Sequence, residues 1–219
     1  MKLFETILVG ISGVAWTIVY IELIRQGNKD KACGMPLFAL TLNLAWEWIY
    51  GIDGLFVSRS FIPAQSIANI VWAVCDIFVM MTWIKYGKQY LPQSAKKYFM
   101  PFTFVAVVFG FAMQFAFYFN CETVEIASIY SAFLQNVAMS VMFIAMLFTR
   151  ENTKAQTLQI AICKWLGTST PTIYGQINGN SAAGFILITG IVCSVFDIIY
   201  ICLLKKMIGQ NRVNNCHTT

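Results

Sequence analysis

Three acidic side chains stand inside apolar runs long enough to cross a bilayer: Glu47 within Asn43-Leu-Ala-Trp-Glu-Trp-Ile-Tyr-Gly51, Asp76 within the run from Ile62 to Ile84, and Asp197 within Val195-Phe-Asp-Ile-Ile-Tyr200. A charge at mid-bilayer costs roughly 2.5 to 3.5 kcal/mol on insertion scales, so an intramembrane acid is by default a functional-site hypothesis. An acid walled by apolar groups resists ionisation, because desolvation penalises the charged form, and it can stay a proton donor near neutral pH. Neutralisation by a neighbouring helix purely for packing is the competing explanation. It accounts poorly for Glu47; for Asp76, catalysis and a structural hydrogen bond both stand.

Each acid has company at helical spacing. Asn43, Glu47, Tyr50, Gly51 and Gly54 recur every three or four residues, as do Gln65, Asn69, Trp72, Asp76 and Trp83, and then Gly190, Ser194, Asp197 and Tyr200; each set makes one helical face. Glycines on such a face let a neighbouring helix or a ligand come close. At about 1.5 Å per residue from the assumed cytoplasmic ends, Asp76 and Asp197 lie roughly 10 to 12 Å deep and Glu47 roughly 18 Å, depths compatible with one shared cavity. Aromatic walls attract cations by roughly 0.5 to 2 kcal/mol per ring. Glu47, Asp76 and Asp197 are therefore the candidate catalytic residues, and Asn43, Trp46, Tyr50, Asn69, Trp72, Gln114 and Tyr200 the candidate substrate contacts. Asn136 and Lys164 are further candidates for lining the interior, and Lys164 could pair with one of the acids. Glu22, Asp53 and Glu125, at segment ends, read as interfacial groups solvated by water or headgroups. Buried acids with aromatic lining suit protonation of an epoxide or alkene followed by a migrating carbocation; they suit proton-coupled transport equally.

The elements that must position these groups follow from composition. Of 219 residues 58% are hydrophobic and 11% charged, against roughly 45 to 50% apolar and 25% charged in soluble domains. Segments of about 20 apolar residues occur at 3–24, 35–56, 62–84, 99–119, 125–148, 155–177 and 182–204. The expectation is an all-α polytopic membrane protein, a single bundle of seven transmembrane helices over residues 1–219. The sixth segment, with Lys164, Thr168, Thr170, Pro171 and Thr172, should pack inside the bundle or kink at the proline. Twelve Lys or Arg fall in the first, third and fifth connections and the tail, against Lys2 and Arg59 on the other side. Because cationic residues accumulate on the cytoplasmic side, the N-terminus should be lumenal and the C-terminus, with its short tail 205–219, cytoplasmic. The net charge of +5 thus reflects topology, and the partner it implies is the lipid bilayer, with no nucleic acid.

Cys75, Cys163, Cys193 and Cys202 lie in apolar runs, and the single histidine is His217, so neither a disulfide framework nor a His/Cys metal site is expected. Cys216-His217-Thr218-Thr219 lacks the aliphatic middle pair of a prenylation signal. The first apolar run is too long for a signal-peptide core and reads as a retained span. Short connections leave no room for a lid, so the chemistry must occur between helices or at the bilayer surface.

Met35-Pro36-Leu37 running into Asn43-Leu-Ala-Trp-Glu47-Trp-Ile-Tyr-Gly51, with Phe196-Asp197-Ile-Ile-Tyr200 near the end, resembles the small seven-span terpene cyclases of fungal meroterpenoid and indole-diterpene pathways, of the paspaline-synthase type. That resemblance implies an isomerase or lyase of secondary metabolism that cyclises an epoxidised polyprenyl chain on an indole or polyketide-derived ring, with Glu47 and Asp197 linked to the protonation step. It further implies no metal and no other cofactor, a multi-pass location in the endoplasmic reticulum, and an epoxidase and a prenyltransferase as pathway partners. The sequence agrees in one independent respect: no two acids in the spans are adjacent, whereas cyclases that ionise a diphosphate need clustered aspartates for metal.

Two other classes share the topology. Small seven-span transporters show repeats with proline-broken helices, and no halves align here. Receptors of the retinal type need a lysine in the body of the seventh span, and none occurs there.

Overall fold

Helices begin where the sequence supplies a donor-poor or hydroxyl start. Thr123 and Thr157 each accept a hydrogen bond from the backbone N–H three residues on, Pro36 precedes the second helix, and Pro63 occupies the first turn of the third, where its missing N–H costs nothing. The computed structural model describes residues 2–59, 61–179 and 181–216, with side chains between residues 3 and 210. His217 and the threonines after it lie outside the described residues, and the side chains of Lys2, Arg212 and Cys216 are likewise outside, so the prenylation motif is not addressed.

Seven long helices result: α1 (Lys2–Asp30), α2 (Leu37–Ile52), α3 (Pro63–Tyr86), α4 (Phe99–Asn120), α5 (Val124–Arg150), α6 (Leu158–Asn178) and α7 (Ala183–Cys216). No strand occurs among the described residues. Each expected segment coincides with one helix, but α1 and α7 run on past their apolar stretches. Five of the seven, α1, α3, α4, α5 and α7, are long and apolar enough to cross a membrane. The second is only 16 residues long before it widens into a π turn over Asp53–Val57, and α6 carries too many polar groups.

Helix α2 packs against α3, α4 and α5, and α6 packs against α1 and α7. A Cβ on Gly110 of α4 would collide with the Thr41 carbonyl, which is how the α2 and α4 backbones come so near. Leu23, Leu40, Phe143, Met139, Tyr200 and Leu204 form the buried core, while Phe104, Val105, Val108 and Phe119 of α4 point outward, an apolar exterior suited to lipid. The α5 and α6 backbones barely touch, and the space between them opens into the interior. Pro171 does not break α6: the helix is continuous through it, and the Gly167 carbonyl, which a proline four residues on cannot serve, accepts from Ser12 Oγ at 2.8 Å.

Candidate functional site

A cavity of about 280 Å³ lies between α1, α2, α3, α5 and α6. Its wall carries three tryptophans, Trp16, Trp46 and Trp72, together with Glu47. The indole N–H groups are tied back, Trp46 to the Ser128 carbonyl at 3.0 Å and Trp72 to Thr17 Oγ1 at 3.1 Å, and Tyr20 stacks on Trp72 with centroids 6.2 Å apart. Rings held this way have fixed faces, the arrangement that favours a passing cation.

Glu47 is 5% exposed. Tyr20 Oη donates to its Oε1 at 3.4 Å, whereas its Oε2 is buried without a partner. A chain of amides adjoins that bond. Asn43 Nδ2 donates one proton to Tyr20 Oη at 2.6 Å and the other to Asp76 Oδ2 at 2.8 Å. Asn43 Oδ1 accepts from Gln135 Nε2 at 3.4 Å, and Gln135 Oε1 accepts from Gln114 Nε2 at 2.8 Å. Tyr20 Oη, which accepts from Asn43, stands within hydrogen-bond reach of both Glu47 and Asp76, and its single proton can serve either acid.

Of the residues singled out in the sequence, Asn43, Trp46, Glu47 and Trp72 meet at this cavity. Asp76 and Gln114 stand one layer behind it, at the two ends of the amide chain. Asn69 accepts from Gln65 at 2.7 Å. Tyr50 lies toward the α2 π turn, where Ser131 donates to it at 3.3 Å and Tyr118 and Phe61 pack on it.

Asp197 is not with the other two acids, and the single three-acid cavity compatible with their depths in the sequence does not form. Lys164 Nζ reaches Asp197 Oδ1 at 2.6 Å and Ser140 Oγ at 2.7 Å, with both ions 1% exposed. Tyr200 bonds to Gln156 at 3.0 Å nearby. The reason is register: Lys164 lies one turn of α6 below the cavity residue Thr168, so its charge draws Asp197 beneath the floor. Two interfacial assignments also change. Asp53 is 2% exposed, accepting from Tyr118 Oη at 2.7 Å and from Ser58 Oγ, and Glu22 is 7% exposed and paired with Arg25 at 2.8 Å. Glu125 is exposed as expected.

Sequence reading missed Trp16, Tyr20 and Gln135. Ser12, Trp16 and Tyr20 do share a helical spacing of four in α1, and an amide in the middle of an apolar span is itself a signal.

From residue 1 to 207 the sequence matches the family model described as Pyr4-like transmembrane terpene cyclases. Among curated relatives, "Pyr4-family terpene cyclase mfmH" of Annulohypoxylon moriforme is 30% identical over 161 residues, 72% of this chain and 64% of that one. "Terpene cyclase pyr4" of Aspergillus fumigatus is 23% identical over 207 residues, 90% of this chain and 84% of its own. "Asnovolin H synthase nvfL" of Aspergillus novofumigatus is 25% identical over 71% of this chain and 63% of its own. No solved structure matches the chain significantly.

Proposed function

The chain belongs to the Pyr4-like transmembrane terpene cyclases, and from that membership we propose that it protonates an epoxidised polyprenyl chain, carried on an indole or polyketide-derived ring, and guides the resulting cation through cyclisation. The observation that carries this reading is Glu47: a buried acid with one oxygen bonded by Tyr20 and the other without a partner, in the wall of a cavity shared with Trp16, Trp46 and Trp72.

In this reading the carboxyl proton of Glu47 passes to the epoxide oxygen, one C–O bond breaks, and that oxygen becomes a hydroxyl. The nearest alkene closes on the electron-poor carbon, and the positive charge moves along the chain past indole faces until a proton is lost from the last cation, so that the product is an isomer of the substrate. Glu47 is left as a carboxylate, and the Tyr20 hydroxyl bonds to it more strongly than to the neutral acid. The helices around the cavity keep bulk water from the cation. Asp76 serves through Asn43, and Asp197 through Lys164, as positioning groups for the cavity walls. The enzyme sits in the endoplasmic reticulum membrane, downstream of a prenyltransferase and an epoxidase, and needs no cofactor.

Glu47→Gln removes the transferable proton and keeps the shape. Microsomes bearing this variant should convert an epoxidised prenyl-arene to cyclised isomers at least about 10²-fold more slowly, the usual worth of a general acid, while the protein inserts normally. Undiminished turnover, read by mass and NMR analysis of products, would falsify the assignment. Substrate-driven proton flux into vesicles without any product would instead make the chain a transporter.

A further inference from the structure

A second hollow shares no residue with the cavity of Glu47. It is a groove of about 510 Å³ at the charged end of the bundle, and its lining includes Trp83 of α3, Tyr90 in the turn that follows, Pro36 ahead of α2, and Met142, Met146 and Arg150 of α5. Arg150 is half-buried. Its Nη1 donates to the Cys33 carbonyl, and its guanidinium lies 3.8 Å from the centre of the Tyr90 ring, so its plane is held in place. Among the described residues the ion pairs join Arg25 to Glu22 and Lys164 to Asp197, and Arg150 is in neither. Of the acids at this end, Glu22 is taken by Arg25, Asp30 accepts from the Ala155 N–H at 2.7 Å, and Glu151 is exposed. Arg150 has further N–H donors to give, and Tyr90, on the same groove, has a hydroxyl without a partner in the protein. A partly buried charge that lacks a counter-ion is costly, which makes this groove a place for an anion.

The walls decide what that anion is attached to. Met142, Ala145, Met146, Thr149 and Arg150 line the groove along one face of α5, so it extends about 12 Å from the guanidinium back along the apolar span. Ala145 is exposed, as are Val141 and Phe148 on neighbouring turns, so this side of α5 meets lipid. Trp83 spends its N–H on Thr103 Oγ1 at 2.9 Å, which leaves the groove only the apolar part of the indole. A cation at one end and an apolar trough open to the bilayer match an amphiphile with a negative headgroup.

We propose that this groove binds an anionic phospholipid of the adjoining leaflet, with its phosphate on Arg150 and an acyl chain along Met142 and Met146. A guanidinium fork meets two phosphate oxygens at once, and basic pockets between spans on the cytoplasmic side suit such headgroups. The backbone that frames the groove carries two more cations: Lys88 belongs to the same turn as Tyr90, and the Gln89 amide ties that turn to the Lys31 carbonyl at 2.9 Å, with both lysines exposed. A choline headgroup would bring its own cation among these, whereas a phosphate monoester brings only negative charge. The bound lipid braces the turn after α3 against α5. The site is independent of the cyclase reading.

The test uses the purified full chain in detergent and three probes: phosphatidic acid, phosphatidylcholine with the same chains, and glycerol 3-phosphate, the bound fraction being read by native mass spectrometry. Wild type should bind phosphatidic acid at least about tenfold more tightly than phosphatidylcholine and show no adduct with glycerol 3-phosphate. Arg150→Gln, which keeps a donor for the Cys33 carbonyl, should weaken phosphatidic acid about 10- to 100-fold, the usual worth of a bond between charged groups. Ala145→Phe fills the apolar part of the groove from an exposed position and should weaken it comparably with Arg150 in place. Lys205→Gln, the same loss of charge at an exposed site on α7, should change it by less than about twofold. Equal binding of the two lipids, or a loss with Lys205→Gln as large as with Arg150→Gln, overturns the site and leaves only a general attraction to charge. Glycerol 3-phosphate bound as tightly as phosphatidic acid, or no loss with Ala145→Phe, overturns the lipid as occupant in favour of a free phosphate. If Arg150→Gln fails to accumulate, Ala145→Phe decides alone.

Discussion

Tyr20 has one proton to give and stands between two acids. Asn43 spends its amide protons on Tyr20 and Asp76, and Tyr20 reaches Glu47 Oε1 at 3.4 Å. Tyr20→Phe deletes that donor while keeping the ring on Trp72. Its bond matters most once Glu47 has become a carboxylate, and bonds to charged groups are worth about 1.5 to 3 kcal/mol. Turnover should fall about 10- to 100-fold with KM nearly unchanged, measured in microsomes at matched protein levels; an unaltered kcat would remove Tyr20 from the step. Glu47 was legible in the sequence because an acid in an apolar span is costly. Asn43 and Trp72 followed from their spacing, and Trp46 from its place beside Glu47. Tyr20 was not legible, since a tyrosine among Ile and Val reads as ordinary packing until its partners are known. Gln114 and Asp76 were visible as polar groups, but helical spacing gives a face and not the neighbour that covers it, so their place behind the cavity could not be read.

The helix whose polarity made it the least typical span, α6, is tied to α7 by a buried ion pair. Lys164 and Asp197 join α6 to α7, and Ser140 extends the contact to α5. Asp197→Asn leaves a buried ammonium without its counter-charge, and breaking a buried pair by removing one partner costs about 3 to 5 kcal/mol. The variant should melt markedly lower in detergent and accumulate poorly in membranes. Removing both charges, with Lys164→Met and Asp197→Leu together, should bring the melting temperature back toward wild type, because apolar replacements of a buried pair are often neutral or better. A double variant as unstable as the single one would show that the pair is not what holds α6 in place. The sequence marked α6 as an interior helix from its threonines and lysine, and its packing between α1 and α7 agrees. Which acid Lys164 meets was beyond reach, because that depends on the rotation of α6 and α7 about their axes.

At the scale of the molecule, the number of helices was readable from apolar length alone, the short helix α2 included, since its 16 residues and the π turn after them cover nearly all of the apolar segment 35–56. Sidedness rests on charge. Arg25 and Lys29 lie late in α1 with Lys31 just after it, Lys85 lies at the end of α3 with Lys88 just after it, Lys96 and Lys97 precede α4, Arg150 ends α5, and Lys205 and Lys206 lie late in α7. With short connections and consecutive helices reversing direction, these fall at one end of the bundle, while the other end carries Arg59. Lysine and arginine near short loops set orientation, so the charged end should face the cytoplasm and the N-terminus the lumen. A glycosylation sequon placed on a short extension before Met1 should be modified in microsomes, and an epitope tag after Thr219 should be digested by protease added outside intact vesicles. An unglycosylated N-terminus with a protected tag would invert the molecule. It would also turn the Lys164–Asp197 end of the cavity toward the lumen.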